Sequence, residues 1–90
     1  MFADVVMYRT PFCSYCMRAA QLLKGKGVTF REVDVSNDPA TRERLLRETG
    51  SHTVPQIFIN GVPVGGYDDI ATLDRRGALV PLLCEAPLRQ

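Results

Sequence analysis

"DVVMYRTPFCSYCMRAAQLLKGKG", residues 4–27, changes its hydrophobic period within a few residues. Asp4–Tyr8 is a short, apolar, β-branched run and predicts a buried strand. From residue 14 to 26 the apolar positions Cys16, Ala19, Ala20, Leu22 and Leu23 fall at the spacing of a helix with one buried stripe. Gly25 and Gly27 punctuate the end of that helix. Cys13 stands at the junction of strand and helix, with Cys16 one turn further on.

Working outward, Val28–Val35 predicts a second strand, whose alternation changes phase near Arg31–Glu32 and suggests a bulge or edge distortion. Asp38-Pro39 opens a helix, with Asp as N-cap and Pro at the first helical position. It runs to about Thr49, is stopped by Gly50, and has a thin inward face of Leu45 and Leu46. Gln56–Asn60 is a third strand, Asn60-Gly61 a hairpin signal, and Val62–Val64 a short fourth strand broken by Gly65-Gly66. Asp68 is expected to cap a helix through Arg76, and Ala78–Glu85 a last helical piece. The order β-α-β-α-β-β-α predicts an α/β fold. Its four-stranded mixed sheet holds a parallel pair and a hairpin, flanked by helices on both faces.

The 90 residues suit one domain, taken as residues 1–90, with 46% hydrophobic and 23% charged residues as in ordinary globular chains. A net charge of +1 gives no global reason to expect nucleic acid or an anionic membrane as partner. Arg42, Arg44, Arg47, Arg75 and Arg76 stand near Glu43, Glu48 and Asp74 and read mainly as solvated helix faces. No run approaches the ~20 apolar residues of a membrane span, and the start lacks the basic region of a signal peptide. Three cysteines cannot all pair within one chain, which argues for a reducing, cytoplasmic setting.

A Cys-x-x-Cys pair can hold a metal, staple a loop or exchange electrons with other thiols. Unpaired N–H groups and the dipole at a helix start favour a thiolate at Cys13. Cys16, on the same face and deeper, is placed to attack a mixed disulfide formed on Cys13. A structural disulfide would close a tiny loop and restrict the unfolded chain little. A zinc site would need Cys84 and His52 as its other ligands, at unrelated spacings. Cys84 itself reads as a small hydrophobe in the last helical piece, or, if partly exposed, as a thiol that could be glutathionylated or link two chains. Thr53-Val54-Pro55 precedes the third strand, where a cis bond would leave the Val54 backbone free to pair with an extended peptide; a plain loop proline is the alternative. Gly66, Tyr67 and Asp68 stand at a helix start that suits a carboxylate beside an ammonium, or is simply a hairpin end before a capped helix.

In this order, Cys-Ser-Tyr-Cys, "TVPQIFI", "GGYDD" and "LDRRGALVPLL" resemble the glutaredoxin family of the thioredoxin-like fold, over residues 4–83. The resemblance implies a glutathione-dependent thiol–disulfide oxidoreductase, active as a monomer on disulfide and glutathionylated proteins. Glutathione reductase with NADPH would recycle the glutathione. Cys13 would be the nucleophile and Cys16 the resolving thiol. Tyr15 would flank the glutathione sulfur; Thr53, Val54 and cis-Pro55 would pair with its backbone; Gly66, Tyr67 and Asp68 would hold its γ-glutamyl head. Arg42 occupies the position of a family residue that contacts the glycine carboxylate.

The chain also departs from the family pattern. Thr10 stands where the family commonly has Lys, with Arg9 as the candidate substitute. His52 stands where many members have Arg or Thr, and its ordinary pKa of about 6.5 would make glutathione affinity sensitive to pH. Ser14 replaces the Pro of many dithiol members. Some relatives with Ser-Tyr hold a [2Fe–2S] cluster between two subunits, which would make Cys13 a cluster ligand in a dimer concerned with cluster carriage or sensing.

Overall fold

A computed structural model describes residues 2–87; the single domain expected over residues 1–90 extends past them at both ends. Its elements are β1 (Val5–Arg9), α1 (Ser14–Gly25), β2 (Arg31–Asp34), α2 (Pro39–Thr49), β3 (Gln56–Ile59), β4 (Val62–Gly65), α3 (Tyr67–Arg75) and α4 (Leu79–Cys84). The four strands form one sheet in the order β2-β1-β3-β4. β1 and β2 are parallel, with Val6 opposite Arg31, and β1–β3 and β3–β4 are antiparallel. This is the four-stranded mixed sheet, with one parallel pair and a hairpin, that the alternation of elements predicts.

Alternation along β1 sends Val5 and Met7 to one face, where they meet Ala19 and Leu23 of α1, Ile70 of α3, and Leu79 and Leu83 of α4. The opposite face carries a smaller cluster of Val35, Leu45 and Phe58, with Tyr8, Val33 and Val54 packed against it. Helices thus cover both faces. α2 contributes one fully inward side chain, Leu45, because Leu46 is only half-buried.

Local chemistry explains where the elements begin and end. Asp38 Oδ1 accepts from the Thr41 N–H at 3.1 Å, Pro39 follows it, and Gly50 closes α2 at φ 75°. β2 is shorter than the expected Val28–Val35, because Val28 and Phe30 pack into the core ahead of the ladder. The expected irregularity near Arg31–Glu32 is absent from the β1–β2 register; it lies instead between Ile57 and Phe58, on the pairing with β4. Pro63 stands opposite Phe58 there and has no N–H for the ladder. α3 also starts earlier than expected. Its N-cap is Gly66, whose N–H donates to Asp69 Oδ2 at 2.9 Å, so Asp69 rather than Asp68 fastens the first turn. Cys84 does not join the core: Leu83 is fully buried and Cys84, the next residue, is exposed.

Candidate active site

α1 begins where β1 delivers the chain from the centre of the sheet, and Cys13 is its N-cap, in extended backbone at φ −123° and ψ 113°. Cys13 Sγ accepts from the Cys16 N–H at 3.1 Å and lies 3.8 Å from the Val54 carbonyl oxygen, to which its thiol can donate. No acidic residue occupies the first turn of α1. A free backbone donor, the positive end of the dipole and no competing carboxylate together suit a sulfur anion at this atom.

Cys13 is half-buried and Cys16 fully buried, so only the first is within reach of a partner. Burial, helped by a hydrogen bond to the Cys13 side chain, pushes the Cys16 thiol up to about 11; a backbone hydrogen bond involving Thr10 and the charge of Arg9 oppose it weakly. Cys16 therefore carries its proton at neutral pH. The folded state holds that proton over a range where the unfolded chain, at the usual value of 9.0, releases it. The associated stability is fully present below pH 9 and is lost as pH rises through the folded value. Two units correspond to roughly 2–3 kcal/mol. Urea midpoints at pH 8 and pH 10.5 are expected to fall further in the wild type than in Cys16→Ala; the same fall in both would mean that Cys16 ionises without hindrance.

A groove of ≈ 360 Å³ runs beside Cys13, lined by Tyr15, Thr53, Val54, Pro55, Gly66, Tyr67, Asp68 and Asp69. The Val54–Pro55 bond is cis. Gly66 comes so close to the Pro55 carbonyl that a Cβ would sit 3.2 Å from that oxygen, which is why glycine stands there. Tyr15 and Tyr67 face each other across the groove with centroids 6.4 Å apart, and the Arg18 guanidinium lies 5.5 Å from the Tyr15 ring centre. Seven of the eight residues expected from sequence to contact a ligand, all except Arg42, are brought together on this wall, next to the cysteine pair.

Arg42 lines, with His52, a small recess that shares Thr53 and Val54 with the groove, and its Nη2 donates to the His52 carbonyl at 3.1 Å, bracing the loop that carries Thr53 and Val54. The His52 side chain is exposed. Arg9 is committed to Glu32, Nη1 to Oε1 at 2.6 Å, and its Nε donates to the Thr10 carbonyl at 3.4 Å, so it is not a loose cation awaiting a ligand. The sequence reading missed Asp69. A glycine followed three residues later by an acid at a helix start was the signal available for it. A cavity of ≈ 510 Å³ lies away from this site between β4 and α4, and its lining of Ile59, Asn60, Val62, Val64, Leu82, Glu85 and Ala86 contains no cysteine. Among the described residues no group of three or more His, Cys, Asp or Glu side chains could hold a metal ion, so the zinc set of Cys13, Cys16, His52 and Cys84 does not assemble.

With this geometry in hand, comparison with known proteins is informative. The family model described as Glutaredoxin matches residues 5–64. Over 81 residues the chain is 47% identical to glutaredoxin 3 of Escherichia coli, covering 90% of this chain and 98% of that protein. It is 51% identical over 79 residues to a glutaredoxin of Pseudomonas aeruginosa, covering 88% of this chain and 94% of that one. Among solved structures, a buckwheat glutaredoxin–glutathione complex superposes with a TM-score of 0.86 at 32% identity, over 90% of this chain and 76% of that one.

Proposed function

This chain belongs to the glutaredoxin family, and on that premise we propose that it reduces protein–glutathione mixed disulfides and protein disulfides with glutathione as electron donor. The observation that carries the reading is the pairing of a reachable Cys13 sulfur at a helix N-terminus with the adjoining groove of ≈ 360 Å³. A glutathione moiety in that groove would lay its cysteinyl backbone along Thr53, Val54 and Pro55 and its γ-glutamyl head at Gly66, Tyr67 and Asp68. Tyr15 would close over the sulfur. Arg42, in the recess that shares Thr53 and Val54 with the groove, would contact its glycine carboxylate.

The Cys13 thiolate attacks the glutathione sulfur of a mixed disulfide. The old S–S bond breaks, the substrate leaves as a thiolate that takes up a proton, and Cys13 carries the glutathione. A second glutathione thiolate attacks the sulfur of that bound glutathione, releasing glutathione disulfide and regenerating Cys13. The two electrons come from the pair of glutathione molecules that ends as the disulfide. With a protein disulfide the intermediate joins substrate to Cys13, and Cys16 must lose its proton to displace the substrate and form Cys13–Cys16. Cys16 is buried, so its target is the disulfide formed on Cys13, one helical turn away, rather than an outside partner.

A coupled assay with glutathione, glutathione reductase and NADPH tests the reading, using the mixed disulfide of glutathione and 2-mercaptoethanol. NADPH consumption dependent on the protein and saturable in the mixed disulfide is expected. Turnover no faster than glutathione alone would refute it. The cluster-bridged dimer implied by Ser14 would draw one ligand per chain, since Cys13 is reachable and Cys16 is sealed. The donor set then fits only if glutathione and a second chain complete it.

A further inference from the structure

A second cavity, of ≈ 380 Å³, shares Thr53, Gly66 and Asp69 with the groove and continues from it toward the C-terminal end of α2. Glu48, Ser51, Gln56 and Gly65 also line it, and among the described residues no Lys, Arg or His does. Gln56 is only 4% exposed. Its Nε2 donates to the Thr53 carbonyl at 2.8 Å, which fixes the amide orientation and leaves Oε1 with no donor among the described residues. No side-chain polar atom sealed from solvent lacks a partner among those residues, so this oxygen opens into the cavity.

Two carboxylates accompany it. Glu48 is held loosely, 3.9 Å from Arg44 Nε, while the Arg44 guanidinium is bonded to the Tyr8 hydroxyl at 2.9 Å and lies over the Tyr8 ring at 5.6 Å. Asp69 uses Oδ2 for the Gly66 N–H, and its other oxygen has no partner among the described residues. Three acceptors, the buried Gln56 oxygen and two solvent-exposed carboxylates, with no cation among the described residues of the wall, match a group that offers only donors.

We propose that this cavity receives an organic cation, the ammonium or guanidinium of a lysine or arginine, belonging to the protein whose cysteine carries the glutathione bound in the adjoining groove. The inference rests on the reading of that groove and adds substrate selectivity to it: glutathionylated cysteines with a basic neighbour are reduced faster than those with an acidic one. Two glutathionylated pentapeptides that differ only in Lys or Glu two residues from the cysteine provide the test. The wild type is expected to favour the lysine peptide in kcat/KM by about three- to tenfold. Glu48→Gln is expected to remove most of that preference and Glu48→Lys to reverse it. The mixed disulfide of glutathione and 2-mercaptoethanol, which has no cation on its leaving group, is expected to react equally with all three proteins. The absence of a preference in the wild type, or its survival in both variants, overturns the proposal while leaving the glutathione reading intact. Failure of the small mixed disulfide to react with the wild type overturns both.

Discussion

Cys13→Ser is expected to lower reduction of mixed disulfides and protein disulfides alike by on the order of 10³-fold or more, as removal of a nucleophile does elsewhere. The serine hydroxyl can still cap α1, so the fold and its stability change little while the attacking sulfur is gone. Cys16→Ser divides the two activities. It should keep the glutathione route, in which Cys16 takes no part, and lose the intramolecular step that releases a protein disulfide. The coupled assay on a mixed disulfide and an insulin-reduction assay, run on both variants, would show this split. Full activity in Cys13→Ser would remove Cys13 from its role as nucleophile, and loss of both activities in Cys16→Ser would mean that Cys16 does more than resolve.

Gly65→Ala is expected to lower stability and glutathione binding together without touching a sulfur. Gly65 has φ +104°, and a Cβ there would overlap the Asp69 carboxylate. Strained backbone of this kind costs about 1–3 kcal/mol. Displacing Asp69 also releases the Gly66 N–H, a loss of roughly 1 kcal/mol for a helix cap. Each kcal/mol lowers Tm by about 4–8 °C in a domain of this size. The loosened turn carries Tyr67 and Asp68, so KM for glutathione should rise together with the loss of thermal stability. Asp69→Ala, which removes the cap but puts no Cβ at the left-handed residue 65, should cost less than Gly65→Ala. An unchanged Tm in Gly65→Ala would mean that β4 and α3 part without cost.

The elements that chain-local chemistry decides were legible in the sequence. Asp38-Pro39 and Gly50 bound α2 because a cap, a ring and a left-handed glycine act within a few residues of themselves. Adjacent acids defeated the same reasoning at α3: either Asp68 or Asp69 could cap, and only the position of the Gly66 N–H decides. Cys84 was misjudged because a short helix turns about 100° per residue. One step past the buried Leu83 therefore faces water. The cysteine pair followed from motif spacing and the groove residues from the family resemblance those motifs carry, whereas the partners of Arg9 and Arg42 followed from neither. Arg9 meets Glu32 across the parallel pair, and Arg42 meets a carbonyl ten residues on in a loop. Such contacts depend on the register and on the loop path, which no window of sequence contains.

Both rims of the sheet bear on how the protein behaves at high concentration. β2, on one rim, displays Arg31, Glu32 and Asp34 to solvent, and β4, on the other, carries Pro63 and the register shift. Another strand approaching β2 meets clustered charge, and one approaching β4 finds an interrupted ladder. These rims discourage copies of the chain from polymerising edge to edge while leaving the Cys13 end open.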